Sequence, residues 1–104
     1  MKTLRFVGSS LDDLRDFPLE ARRAFGFELD AVQRGQMPSD FKPMLNVGSG
    51  VYEIRIHEQG EWRVLYVAKL AEAIYVLHAF QKKTQKTRKA DIELAAKRYQ
   101  EITS

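Results

Sequence analysis

The chain contains no cysteine and only two histidines, His57 and His78. The first absence excludes a disulfide scaffold, a thiolate metal site and a cysteine nucleophile, and it suits a reducing compartment. The second leaves too few donors for a histidine-rich metal centre. Long apolar runs are missing as well: nothing approaches the roughly 18 to 20 residues of a membrane span, and MKTLRFVGSS has too short an apolar stretch for a signal peptide. A cytoplasmic protein with no membrane partner is therefore expected. There is no glycine-rich phosphate loop on a strand-to-helix turn, which speaks against a free-nucleotide site. At 104 residues the chain is expected to form one domain, 1–104, with a single catalytic unit at most.

What the sequence does have is an uneven charge distribution beneath a net charge of +3. The segment from Gln81 to Lys89, QKKTQKTRK, carries Lys82, Lys83, Lys86, Arg88 and Lys89 without an acid, so it supplies +5 and the remainder sums to −2. Such a run is either a solvated loop or a polyanion site whose attraction for phosphate salt would weaken.

Thr3–Val7 alternates weakly and reads as a first strand. Ser9 and Ser10 stand three residues before Asp12 and Asp13, the spacing of a capping box, and open a short helix with Leu11, Leu14 and Phe17 on one side. Pro18 suits the first turn of a second helix reaching Arg34, which buries Ala21, Phe25, Leu29 and Val32 and stops at Gly35. Gly26 costs that helix about 1 kcal/mol relative to alanine, so a close helix contact is expected there. Phe27 lies on another stripe, either beneath the first helix or against a partner protein. Between Gln36 and Gly50 no period survives, and Pro38, Pro43, Gly48 and Gly50 forbid a continuous helix or a central strand. A connection of this length is expected to be functional or mobile.

Three strands follow, Val51–His57, Glu61–Leu70 and Ala73–Gln81. A terminal helix from Arg88 to Ile102 has Thr87 as its cap, an apolar stripe of Ile92, Ala95, Ala96 and Tyr99, and Lys97 and Arg98 near its end. Glu58-Gln59-Gly60 fits a three-residue hairpin loop whose last position takes a positive φ. His57 then faces Glu61, and opposed residues sum to 118. Ala71-Glu72 as a two-residue turn makes the next pairing sum to 143. One face of the sheet collects Tyr52, Ile54, Ile56, Trp62, Val64, Tyr66, Ala68, Tyr75, Leu77 and Ala79 and is expected to pack on the first two helices. The other carries Glu53, Arg55, His57, Arg63, Leu65, Val67, His78, Phe80 and Lys82. In it Arg55, Arg63 and Phe80 form one cross-strand row, and His57, Glu61 and Lys82 the next. A slip of one residue would bury the arginines unpaired, at a cost of several kcal/mol.

Two arginines directly opposite each other repel unless Glu53 and Glu61 neutralise them diagonally or an anion joins them. Arginine forks match phosphate oxygens, and an aromatic ring such as Phe80 stacks on an unpaired base. The expected ligand is single-stranded RNA, with Lys83, Lys86, Arg88, Lys89, His57 and, from the long loop, Lys42 as further contacts. The matching reaction is attack of a ribose 2′-hydroxyl on the adjacent phosphodiester, where Arg55 and Arg63 stabilise the developing charge and neither metal nor cofactor is required. Proton transfer falls to Lys82, which neighbouring arginines predispose to give up its proton, or to His57 or His78. His78 reads rather as a core or helix-facing residue, and Tyr66 and Tyr99 as packing residues. Arg63→Ala is expected to abolish activity and spare the fold.

The element order, together with VYEIRI, EWRVLYV and YVLHAFQKKTQKT, resembles the RelE/ParE superfamily of bacterial type II toxins, in particular its phage-related HigB-like branch. The similarity extends from RFVGSSLDDLRDFP through DFKPM to the last helix. It implies an α+β, RelE-like fold of order β-α-α-β-β-β-α, with an antiparallel meander packed on two N-terminal helices. It also implies a toxin that cleaves messenger RNA on the ribosome without a metal, and a cognate antitoxin, helix-turn-helix and HigA-like, as partner. The basic positions used by RelE-like toxins fall on Arg55, Arg63 and Lys82. ParE relatives share the fold and poison DNA gyrase instead, which is the alternative activity.

Overall fold

The computed structural model describes all 104 residues. Strand β1 (Thr3–Phe6) is followed by helices α1 (Ser10–Arg15) and α2 (Leu19–Gln33), strands β2 (Phe41–Pro43), β3 (Val51–His57), β4 (Glu61–Val67) and β5 (Ala73–Gln81), and helix α3 (Lys89–Thr103). The strands form one sheet in the order β1-β5-β4-β3-β2, with β1 parallel to β5 and the other pairs antiparallel. This is the small α+β architecture expected of the sequence. No helix is long and apolar enough to cross a membrane.

The i, i+4, i+8, i+11 stripe of α2 is buried as expected, Ala21, Phe25, Leu29 and Val32 meeting Ile54, Val64, Tyr66, Ile74 and Val76 of the sheet. Each large side chain removed from water there contributes roughly 1.5–3 kcal/mol. Phe17, just beyond α1, packs between Phe25 and Trp62 with ring centroids 5.7 and 4.8 Å away. Phe27, in contrast, is 72% exposed and lies beneath no helix.

Every β3–β4 pair obeys the expected register, from Val51 opposite Val67 to His57 opposite Glu61. The hairpin turns through Gln59 at φ 53° and Gly60 at φ 138°. Between β4 and β5 the expected pairing holds from Trp62–Gln81 to Leu65–His78 and then shifts by one, to Tyr66–Val76 and Val67–Tyr75. Leu77 is the extra, bulged residue. Ile74 and Val76 therefore take the α1/α2 side, and Tyr75 and Leu77, expected there, join the opposite core. Arg98 Nη1 donates to the Leu77 carbonyl at 2.8 Å, which satisfies an acceptor in the bulge. Strand β4 ends at Val67 rather than Leu70, because the carbonyls of Ala68 and Leu70 accept from the Lys2 ammonium instead of joining a ladder.

Two further expectations need correction. The Gln36–Gly50 connection contains β2, an edge strand in which Pro43 is tolerated because edge positions need not donate. Neither proposed hydroxyl cap forms: Ser9 Oγ donates to Asp13 Oδ2 at 2.8 Å and Ser10 Oγ to the Val76 carbonyl, while Thr87 precedes the true α3 N-cap, Arg88. Arg98, late in α3 as expected, is buried, its Nη2 donating to Ser9 Oγ at 3.1 Å.

Helix α3 covers the second face of the sheet. Ala95 packs there with Leu65, Val67, Leu77 and Phe80, and Met44 and Val47 fold in from the long connection. The polar face of the sequence is thus open only at the end bearing Arg55 and Lys82.

Two glycines should respond in opposite ways to alanine. At Gly8, φ is +58° and an added Cβ would lie 2.7 Å from the Arg98 guanidinium, which its hydrogen bonds hold in place. Gly8→Ala is expected to destabilise by about 1–3 kcal/mol. At Gly26 nothing lies within 4 Å, so the expected close helix contact is absent. Gly26→Ala is expected to stabilise by about 0.5–1 kcal/mol, both changes being read by denaturant unfolding.

Candidate functional site

The arginines fall opposite each other on β3 and β4, and Phe80 faces Arg63 from β5. Their environments differ. The Arg63 side chain is only 5% exposed; Nη2 donates to Glu61 Oε1 at 2.9 Å and Nη1 to the Trp62 carbonyl at 3.0 Å. Arg55 is 31% exposed and commits only Nε, at 3.3 Å, to Glu53 Oε1. Its two terminal nitrogens have no protein partner. The neutralisation by Glu53 and Glu61 is therefore real but divided, Glu61 serving Arg63 and Glu53 bonding Arg55.

Phe80 is 9% exposed and stacked on His78 with centroids 4.9 Å apart, so it offers no free face to a base as packed. His78 is helix-facing, as expected, its Nε2 bonded to Asp91 Oδ1 of α3 at 2.7 Å.

The lysine run and the long connection meet in a cleft of about 440 Å³. Lys42 of β2 and Lys82 and Lys86 of the loop before α3 line it with Asn46, Gln85 and Thr87, over a floor of Pro43, Met44 and Ile92. No carboxylate lines this cleft. Lys83, Arg88 and Lys89 are exposed outside it, and Lys89 lies 3.7 Å from Glu93. The structure thus brings Lys42, Lys82 and Lys86 together, with Arg55 two residues along β3 from Glu53, the partner of Lys42. It keeps Arg63 and Phe80 inside, and with them fails the expectation that Arg63 lies outside the core.

His57 is committed on both sides. Its Nδ1 lies 2.8 Å from Glu61 and its Nε2 2.8 Å from Asp40. Two carboxylates on one imidazole favour the doubly protonated ring, so its pKa is raised, first by the Asp40 bond and then by the Glu61 bond. The Glu61 carboxyl is held below its ordinary range by His57 and then Arg63. Burial pushes the Tyr66 phenol up, which removes it as a base near neutrality. The Asp40 link could not be read from the sequence, because Asp40 sits in the aperiodic connection. Glu53 was visible only as a neutraliser of the arginines. The cleft was hidden because Lys42 and Lys82 are 40 residues apart and only the β2 edge brings them together.

The three helices and the five-stranded mixed sheet are consistent with a compact RelE-like α+β fold. The family described as phage-derived protein Gp49-like (DUF891) matches residues 12–100, and the chain belongs to that family, known as one of RelE-like toxins. No curated protein matches the chain.

The His57 bridge has a definite pH signature. A raised histidine pKa contributes stability fully below the unfolded value of 6.5, and that contribution is lost as pH rises through the folded value. A depressed Glu61 contributes above 4.5 and loses its contribution as pH falls through the folded value. The bridge is therefore strongest between these two limits. His57→Gln should flatten the decline in unfolding free energy as pH rises above 6.5, by under about 1 kcal/mol because the ring is half exposed. Urea unfolding across that range measures it.

Proposed function

We propose that this protein is the toxin of a type II toxin–antitoxin pair, of the HigB-like branch, and that it cleaves messenger RNA on the ribosome by metal-independent attack of the 2′-hydroxyl. The observation that carries the reading is the carboxylate-free cleft of Lys42, Lys82 and Lys86 beside an arginine whose two terminal nitrogens are uncommitted. Three lysines on flexible stems attract a phosphate backbone, and a guanidinium fork with free nitrogens matches the non-bridging oxygens of one phosphodiester.

In this reaction O2′ bonds to phosphorus as the P–O5′ bond breaks, leaving a 2′,3′-cyclic phosphate and a 5′-hydroxyl. Arg55 stabilises the charge that grows on the non-bridging oxygens. Arg63 supports the field from behind. Of the proton-transfer candidates, His57 is held between two carboxylates and His78 faces α3, whereas the Lys82 ammonium has no protein partner. Lys82 is therefore assigned donation of a proton to the leaving O5′, while the 2′-hydroxyl proton passes to solvent. The lysine-lined face is the surface that a cognate antitoxin with acidic groups would cover, and co-expression of the neighbouring reading frame should relieve toxicity.

The decisive measurement maps transcript ends with and without translating ribosomes. New ends that require ribosomes are expected; growth arrest without them, with loss of supercoiling by purified gyrase, would establish the ParE-like alternative. Arg55→Ala should lower cleavage by about 10²-fold or more at unchanged stability. Arg63→Ala should lower both, since removing one partner from a buried ion pair costs about 3 kcal/mol.

A further inference from the structure

Glu53 stands at the centre of the basic face yet forms no part of its exposed surface. It is 1% exposed, in the middle of β3, between Lys42 of β2 and Leu65 of β4. Its Oε1 accepts from Arg55 Nε at 3.3 Å and lies 3.7 Å from Arg63 Nε, and its Oε2 accepts from Thr87 Oγ1 at 3.3 Å. One carboxylate thus meets an arginine from each of two strands and the residue that ends the lysine-rich loop.

Burial alone does not account for a carboxylate at this position. An apolar side chain of similar volume, filling the gap between Leu65 and the loop, would avoid the desolvation of an anion. Nor does the carboxylate neutralise Arg63 well. Arg63 Nε is buried and has no hydrogen-bond partner, while the nearer bond goes to Arg55. A carboxylate also opposes the binding of a phosphate close by. Its position is understandable if orientation of Arg55 outweighs that repulsion.

We propose that Glu53 is a positioning residue. By holding Arg55 at Nε it fixes the guanidinium with both terminal nitrogens free, and by holding Thr87 it anchors the end of the loop that carries Lys82 and Lys86 to the cleft. The catalytic consequence rests on the RNA-cleavage reading above; the orientation of Arg55 does not. The two effects of the carboxylate, repelling phosphate and aiming the arginine, act in opposite directions on binding and turnover. Their separation is the signature of the role.

Glu53→Gln keeps the shape and removes the charge. With ribosome-bound messenger as substrate, kcat is expected to fall at least about tenfold while KM stays equal or drops. A non-cleavable 2′-deoxy oligonucleotide should bind equally or more tightly. A parallel loss of binding and turnover would indicate a purely structural role and overturn the proposal, as would an unchanged kcat. Glu53→Asp retains the charge and should recover more of kcat than Glu53→Gln. It also carries the test if circular dichroism shows the glutamine variant unfolded. Independently of cleavage, the Arg55 Nε–Hε signal in a 15N correlation spectrum should exchange slowly with water in the wild type and faster in Glu53→Gln. Unchanged exchange overturns the positioning role even if the wild type cleaves RNA. If the wild type cleaves nothing but Arg55 loses protection in the variant, the positioning stands and the RNA-cleavage reading fails.

Discussion

A guanidinium taken out of water has to be paired and hydrogen-bonded, or its burial costs several kcal/mol. Arg63 meets that demand at its two terminal nitrogens, through Glu61 and the Trp62 carbonyl, with Glu53 close to Nε, and a chain of further contacts follows from it. Glu61, held by Arg63, is placed to bind His57. His57 in turn binds Asp40, whose carbonyl accepts from Arg55 N–H at the start of β2. Strand β2 is only three residues long and has no neighbour on its outer side, so this link at its head matters to where it sits. Lys42, on that strand, reaches the cleft only because the strand is held there. A buried charge on β4 is in this way connected to an exposed one across the sheet.

The same pairing explains which parts of the molecule were legible. Polar and apolar residues alternate over Tyr52–His57 of β3 and Glu61–Val64 of β4, and a glycine marks the turn between them, so register and burial agree and the ladder could be read. Between β4 and β5 the residues Ala73–Phe80 are mostly apolar, and neither face is distinguished by pattern. Nothing in such a run marks a bulge at Leu77, whose carbonyl is captured by an arginine 21 residues away. Strand β2 was hidden for a related reason. It is too short to show a period, and its existence depends on β3 rather than on its own residues.

The candidate site was legible as a set of charges and much less so as a surface. Alternation put Arg55 and Arg63 on one face, but alternation says nothing of how deeply each lies. That depends on α3 and on Met44 and Val47, which cover the lower part of the face and leave the Arg55 end open. A single helix stripe fits either side of a sheet, so its choice of face is a tertiary fact. Phe80 suffered the same ambiguity: an aromatic beside basic residues suits a base platform and a core equally well, and here it closes the core beneath His78.

The distribution of arginine and lysine follows a physical division of labour. Arg63 and Arg98 are buried, where a planar fork serves several acceptors at once, two carbonyls and a hydroxyl among them. Lys42, Lys82 and Lys86 are at the rim, where a compact ammonium on a mobile stem can follow a phosphate without a fixed geometry. Meanwhile the nearby carboxylates turn inward: Glu53 and Glu61 to the arginines, Asp40 to His57, Asp91 to His78. Acids that are consumed internally do not screen the lysines outside. A net charge of only +3 therefore coexists with a strongly positive cleft, because the total counts every carboxylate and the surface potential is set by those left free.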